Sequence, residues 1–321
     1  MSVSSSAGVD VPVELRHKIL SVDEPLDSRI RALYALKQHH RNEQGAAVLL
    51  EAIRTTHSVL FQHEIIYNIG QFGFSSSLPG LVAVLRDKQF DVVSRHEAIE
   101  AIGAICSSAP TVTVVLEDTM RDATESAPIR ESCELALARI KLAAAHSGDR
   151  DALQNRRTHF VSRDPAPALD DADVLAGKPQ PPGTYDTQLL KMVMCNPQES
   201  LFRRYQAMFA LRNRGDSESV AALCSALRDD KTSCLFRHEV AFVLGQLEHS
   251  ESVEALAEAL RDEQEHEMVR HESAEALGAI ADPRFWDTLK QYASHPSQLV
   301  ADSCQVALEM HTYWSQFRPA V

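Results

Sequence analysis

The stretch LFQHEIIYNIGQF (60–72) decides the fold, because it recurs as LFRHEVAFVLGQL (235–247), 175 residues further on. At the same offset DKQFDVVSRHEAIEAIGAI (87–105) aligns with DEQEHEMVRHESAEALGAI (262–280), identical at 10 of 19 positions. RIRALYAL (29–36) likewise aligns with RYQAMFAL (204–211). One ungapped offset serves all three blocks, so the two halves are copies of one unit. Segments such as DSRIRALYALKQ, SLPGLVAVLRD and SVEALAEALRD carry apolar residues at i, i+3, i+4 and i+7, the period of a helix. Strand-like alternation is nearly absent. The helices are short and paired, separated by Asp, Ser, Asn, Pro or Gly. The pairs recur at roughly 33 to 37 residues, the signature of a two-helix solenoid repeat. The expectation is an all-α repeat solenoid of eight helix pairs. They form two pseudo-symmetric halves that face each other, four pairs in residues 12–144 and four in 185–312.

Between the copies the composition changes. Residues 145–184 hold five of the chain's 14 prolines: Pro165, Pro167, Pro179, Pro181 and Pro182. Proline removes a backbone donor and resists helix, so an extended linker is expected there. The domain reading is therefore 1–144, a linker over 145–184, and 185–321.

Across 321 residues, 44% are hydrophobic, enough for a sizeable core, and the net charge is −13. With 45 acidic residues against 32 Lys and Arg, neither nucleic acid nor an anionic membrane is the expected partner; a cationic one is. No stretch approaches the roughly 20 apolar residues that span a bilayer. The opening MSVSSSAGVD lacks the basic and apolar regions of a secretory signal. The six cysteines form no C-x-x-C pair and read as reduced, mostly buried thiols of a cytoplasmic protein.

The chemistry sits in four dipeptides: His63-Glu64, His96-Glu97, His238-Glu239 and His271-Glu272. The spacing is 33 residues within each half, so each pair occupies the same place on equivalent helices. Each histidine is followed seven positions later by glycine: Gly70, Gly103, Gly245 and Gly278. Glycine costs about 1 kcal/mol in a helix interior, so four in register point to close helix approach. Imidazole with carboxylate and no thiolate is a ligand set for iron, manganese, zinc or nickel; two 2-His-1-carboxylate groups favour non-haem iron.

Other signals are weaker. The fifth dipeptide, His266-Glu267, meets Asp91-Val92 at the 175 offset, so the duplication does not repeat it and it reads as surface near a helix start. Tyr67, Glu100, Phe242 and Glu275 stand four residues after the histidines, which excludes the H-E-x-x-H site of zinc proteases. Arg95 and Arg270 either orient carboxylates or form helix-surface salt bridges. Phe61, Tyr67, Tyr205 and Phe236 read as core, and Met192, Met194 and Met208 as packing. No phosphate loop or serine or cysteine nucleophile motif is present.

Eight HEAT-like repeats in two halves, four in-register His-Glu pairs and Asp164-Pro165-Ala166-Pro167 in the linker resemble the deoxyhypusine hydroxylase family over essentially the whole chain. The resemblance implies two HEAT-like halves and an iron-dependent monooxygenase with two Fe(II) per chain. It would hydroxylate the deoxyhypusine side chain of a translation factor to hypusine, using O2 and an external reductant. Carried over by motif, His63, His96 and Glu97 would hold one iron and His238, His271 and Glu272 the other. Glu64 and Glu239 would bind the substrate amines. Which glutamates ligate comes from the resemblance alone. Two other readings use the same residues: a HEAT-repeat scaffold without catalysis, and a zinc or manganese hydrolase.

Overall fold

The computed structural model describes residues 10–145, 160–169 and 186–315, with side chains to 310. Among these residues there are sixteen α-helices and no strand. The first eight are α1 (Val13–Leu20), α2 (Leu26–His39), α3 (Glu43–Thr55), α4 (Val59–Phe72), α5 (Leu78–Arg86), α6 (Val92–Ile105), α7 (Pro110–Arg121) and α8 (Ala127–Ala145). The rest are α9 (Thr187–Cys195), α10 (Leu201–Arg214), α11 (Ser217–Asp229), α12 (Cys234–Leu247), α13 (Val253–Arg261), α14 (Glu267–Ile280), α15 (Trp286–Tyr292) and α16 (Gln298–Ser315). They pair in chain order, α1 with α2 through α15 with α16, giving the eight expected pairs. No helix among the described residues is long and apolar enough to cross a membrane.

Packing divides the chain into two compact units, Met1–Ser107 and Ser108–Val321. The first contains α1–α6. The second contains α7–α16, and in it α8 lies against α10 and α12. The duplication and the packing thus draw different boundaries, because α7 and α8 belong by sequence to the first copy. Of residues 145–184, 146–159 and 170–184 lie outside the described residues, with Pro179, Pro181 and Pro182 among them.

Inside each unit the second helices of successive pairs stack: α4 on α6, α12 on α14, and α14 on α16. These are the helices that carry the glycines. A Cβ built on Gly70 would lie 2.8 Å from Ala101 Cα; on Gly245, 3.0 Å from Ala276 Cβ; on Gly278, 2.6 Å from Ala307 Cβ. The missing side chain is what lets the helices touch.

A second repeated device fixes the angle within pairs. Arg29, Arg95, Arg204 and Arg270, all buried, each donate Nε to a carbonyl ten residues earlier: Ile19 (3.3 Å), Leu85 (2.9 Å), Met194 (2.8 Å) and Leu260 (3.0 Å). Each carbonyl is the penultimate one of the preceding first helix. The guanidinium thus meets the negative end of the helix dipole and satisfies a carbonyl with no partner within the helix. For Arg95 and Arg270 this helix-end bond is a role that neither sequence expectation included. Arg270 also pairs with Glu263 at 2.9 Å.

Phe61, Tyr205, Phe236, Met194 and Met208 are fully buried, as expected. Met192 is not: it is 68% exposed. Two residues before Met194, it lies about 200° around α9 and faces outward. Tyr67 is only half-buried. Of the six thiols, Cys106, Cys133, Cys224 and Cys304 are buried, Cys234 is half-buried and Cys195 is exposed.

Candidate metal centres

The four His-Glu pairs owe their register to how their helices start and stop. Helices α4, α6, α12 and α14 are each 14 residues long, and the histidine is the fifth residue of each. Each start is fixed by a side chain that accepts a backbone N–H: Ser58 from Phe61 (3.3 Å), Asp91 from Val93 (2.8 Å), Ser233 from Phe236 (2.9 Å) and His266 from Met268 (3.2 Å). His266, the fifth dipeptide's histidine, is thus an exposed helix cap, as the broken register indicated. Each helix stops ten residues after its histidine at a left-handed residue: Gly73, Cys106, Glu248 or Ala281. Three of these are not glycine and hold φ between 49° and 57°. Their strain is accepted for a stop at this residue.

In the first unit, His63 and His96 stand with ring centroids 5.9 Å apart, tilted by 35°. His63 Nε2 lies 3.3 Å from Glu97 Oε2. His63, His96 and Glu97 each present a ligand atom within 4.8 Å of the others. The second unit repeats the arrangement. His238 and His271 have centroids 5.4 Å apart at 40°, and His238 Nε2 lies 3.4 Å from Glu272 Oε2. His238, His271 and Glu272 also present ligand atoms within 4.8 Å of one another. In both units the first histidine meets the carboxylate of the next repeat. All six residues are buried, with His96 and His271 at 0% exposure.

Such a cluster fits a divalent metal. A buried carboxylate beside two imidazoles is costly to desolvate, and a cation that accepts all three donors offsets that cost. Two nitrogens and one oxygen would hold such an ion with fewer protein ligands than its full complement.

Glu64 and Glu239 lie on the same helices, one position after their histidines, and are also buried. Tyr34 donates its hydroxyl to Glu64 Oε2 at 3.4 Å. Lys37 Nζ stands 5.3 Å from the centre of the Tyr67 ring and 5.8 Å from that of Tyr34. Burial pushes the Lys37 ammonium below the usual lysine range, and the Glu64 carboxylate opposes that shift. The place beside Glu64 therefore already holds a cation against two aromatic faces.

Three features went unread in the sequence. Tyr34 and Lys37 escaped because the duplication replaces them by Phe209 and Arg212. Glu100 and Glu275 served only to exclude a zinc-protease motif, yet they lie 3.8 Å from His96 Nδ1 and 3.1 Å from His271 Nδ1. Asp164 of the D-P-A-P element is buried and accepts both arms of the fully buried Arg212, at 2.8 and 2.6 Å. Arg212 is itself stacked on Phe160 and Phe209. The described part of the proline-rich segment is therefore anchored to α10.

Fold and clusters together define a class: an α-helical HEAT-repeat protein with two buried His-His-Glu sets. A family model described as HEAT repeats matches residues 230–309, and one described as PBS lyase HEAT-like repeat matches residues 203–229. Deoxyhypusine hydroxylase of Homo sapiens is 38% identical over 290 residues, spanning 90% of this chain and 87% of that one. The Gallus gallus enzyme of the same name is 38% identical over 297 residues, 92% of this chain and 90% of that one. A solved structure of human deoxyhypusine hydroxylase in complex with glycerol superimposes with a TM-score of 0.82 at 36% identity. It covers 94% of this chain and 95% of that chain. The chain belongs to the deoxyhypusine hydroxylase family.

Proposed function

We propose that this chain hydroxylates the deoxyhypusine side chain of a translation factor, using O2 and an external reductant. The observation that carries the proposal is the same buried His-His-Glu geometry built twice, on helices of identical length and register, in a chain of this family. His63, His96 and Glu97 would hold one iron, and His238, His271 and Glu272 a second. Bound iron would supply activation of oxygen. The chain's own residues supply the rest. Burial of the three ligands in each unit keeps water from that unit's centre and strengthens every charge interaction there.

Glu64 and Glu239 bind the amines of the substrate side chain, which are cationic at neutral pH. Each lies one residue along the helix from a ligand histidine, so an amine held there is fixed relative to the metal and the carbon to be attacked is thereby selected.

The test is incubation of the iron-loaded chain with the deoxyhypusine-bearing factor and a reductant, read by mass spectrometry of the modified peptide. Gain of one oxygen atom in air and none under argon supports the reading. Turnover that proceeds without oxygen favours a hydrolase, and no turnover with no bound metal favours a scaffold.

A further inference from the structure

Four residues after each histidine the chain carries Tyr67, Glu100, Phe242 and Glu275, so the histidines fall into two kinds. His63 and His238, the first in each unit, are followed by an aromatic residue. His96 and His271, the second in each unit, are followed by a carboxylate. Spacing of four on a helix brings side chains together on one face. In the second unit Glu275 Oε1 lies 3.1 Å from His271 Nδ1, within hydrogen-bond reach. Ser303 on α16 donates its hydroxyl to that same oxygen at 3.2 Å, so the carboxylate is itself held in place. In the first unit Glu100 Oε1 lies 3.8 Å from His96 Nδ1. Both imidazoles are fully buried, while both carboxylates keep some contact with solvent, at 12% and 21% side-chain exposure.

A neutral imidazole carries one proton on either nitrogen. A carboxylate beside Nδ1 keeps the proton there, leaves the Nε2 lone pair to a metal, and makes that nitrogen a stronger donor. We infer that Glu100 and Glu275 are positioning residues for the two metal centres: Glu275 fixes the tautomer and ring orientation of His271, and the charge of Glu100 favours the same tautomer of His96. The inference rests on the proposed reading of the triads as iron sites. The distances set its detail. Glu275 acts through a hydrogen bond as well as its charge. Glu100, 3.8 Å from His96 Nδ1, acts on that ring through its charge.

The experiment is iron affinity of the full chain by competition with a chelator, together with the absorption spectrum of the cobalt(II)-substituted chain. Melting of the metal-free chain is recorded beside them. Glu275→Ala is expected to weaken metal binding at one of the two sites by about 10- to 100-fold and to alter the cobalt spectrum. Glu275→Gln, which keeps an acceptor, should restore most of that loss. Glu100→Gln should cost as much as Glu100→Ala, because the charge carries its effect on His96. Ser303→Ala should give a smaller effect of the same kind as Glu275→Ala, and Phe242→Leu none. A purely structural role predicts that Glu275→Ala lowers the metal-free melting temperature and leaves metal affinity and the cobalt spectrum unchanged. That result overturns the inference. A wild-type chain that takes up no iron or cobalt overturns the triads themselves, and this inference with them.

Discussion

Replacing Gly70 by alanine tests whether helix contact sets the ligand geometry. In an ordinary helix interior this change is favourable by about 1 kcal/mol. Here the new Cβ would lie 2.8 Å from Ala101 Cα and 2.9 Å from its Cβ, whereas carbon atoms pack at about 3.5 to 4.0 Å. The neighbour is backbone and cannot swing aside, so α4 must move from α6 by roughly 0.7 to 1 Å. Overpacking of this size typically costs about 1 to 3 kcal/mol. Set against the propensity gain, a net loss of roughly 0 to 2 kcal/mol remains, read as a melting temperature up to a few degrees lower. The same two helices carry His63 on one side and His96 and Glu97 on the other, so the variant should also lose iron from that triad. Gly245→Ala, with its nearest contact at 3.0 Å, should do less, and Gly278→Ala, at 2.6 Å, at least as much. Thermal unfolding and iron content of the three variants give the ranking. A Gly70→Ala chain that melts above wild type and keeps its iron would refute the reasoning, since only propensity would then be at work.

Three further outcomes follow from buried charges and thiols. Asp164→Ala leaves Arg212 charged and buried without its carboxylate, at an expected cost of about 3 to 5 kcal/mol in denaturant unfolding, while Asp164→Ala with Arg212→Met should recover much of it. For Asp230, burial works to raise the carboxyl, but the Ser233 and Thr232 amides and Arg204 outweigh it and hold it below the ordinary carboxylate range. Its folded value being depressed, its stabilisation is present above the unfolded value of about 4 and is lost as pH falls through the folded value. The stability gap between wild type and Asp230→Asn should therefore close as urea titrations are taken from pH 6 toward pH 3. Burial pushes the Cys224 thiol up to about 11 and that of Cys304 up to about 12, so both should resist a thiol reagent at pH 8 until the chain unfolds. Cys195, exposed, should react first; early labelling of Cys304 would contradict its burial.

The helix pairs were legible because the duplication and the helical period are local, repeated signals. The His-Glu register was legible for the same reason, and the structure explains it by caps and stops at equivalent positions. What spacing could not give is that His63 meets Glu97 rather than its own neighbour Glu64, because that depends on how far α4 stands from α6. The Arg29, Arg95, Arg204 and Arg270 bonds were visible only as repeated arginines, since a helix-end carbonyl leaves no mark in side-chain pattern. Asp164 pairs with Arg212 across 48 residues, and no periodicity links positions so far apart. Met192 departs from the packing expectation because apolar character alone does not tell which face of the short helix α9 a residue occupies: Met194 is buried and Met192 faces outward.

Iron content by elemental analysis, on wild type and on the His96→Ala, His271→Ala and His266→Ala chains, tests the two triads most directly. Two irons per wild-type chain are expected, with most iron lost in His96→Ala and His271→Ala and none in His266→Ala. Iron retained in full by His96→Ala and His271→Ala, or stripped as thoroughly by His266→Ala, would contradict the assignment of the ligands.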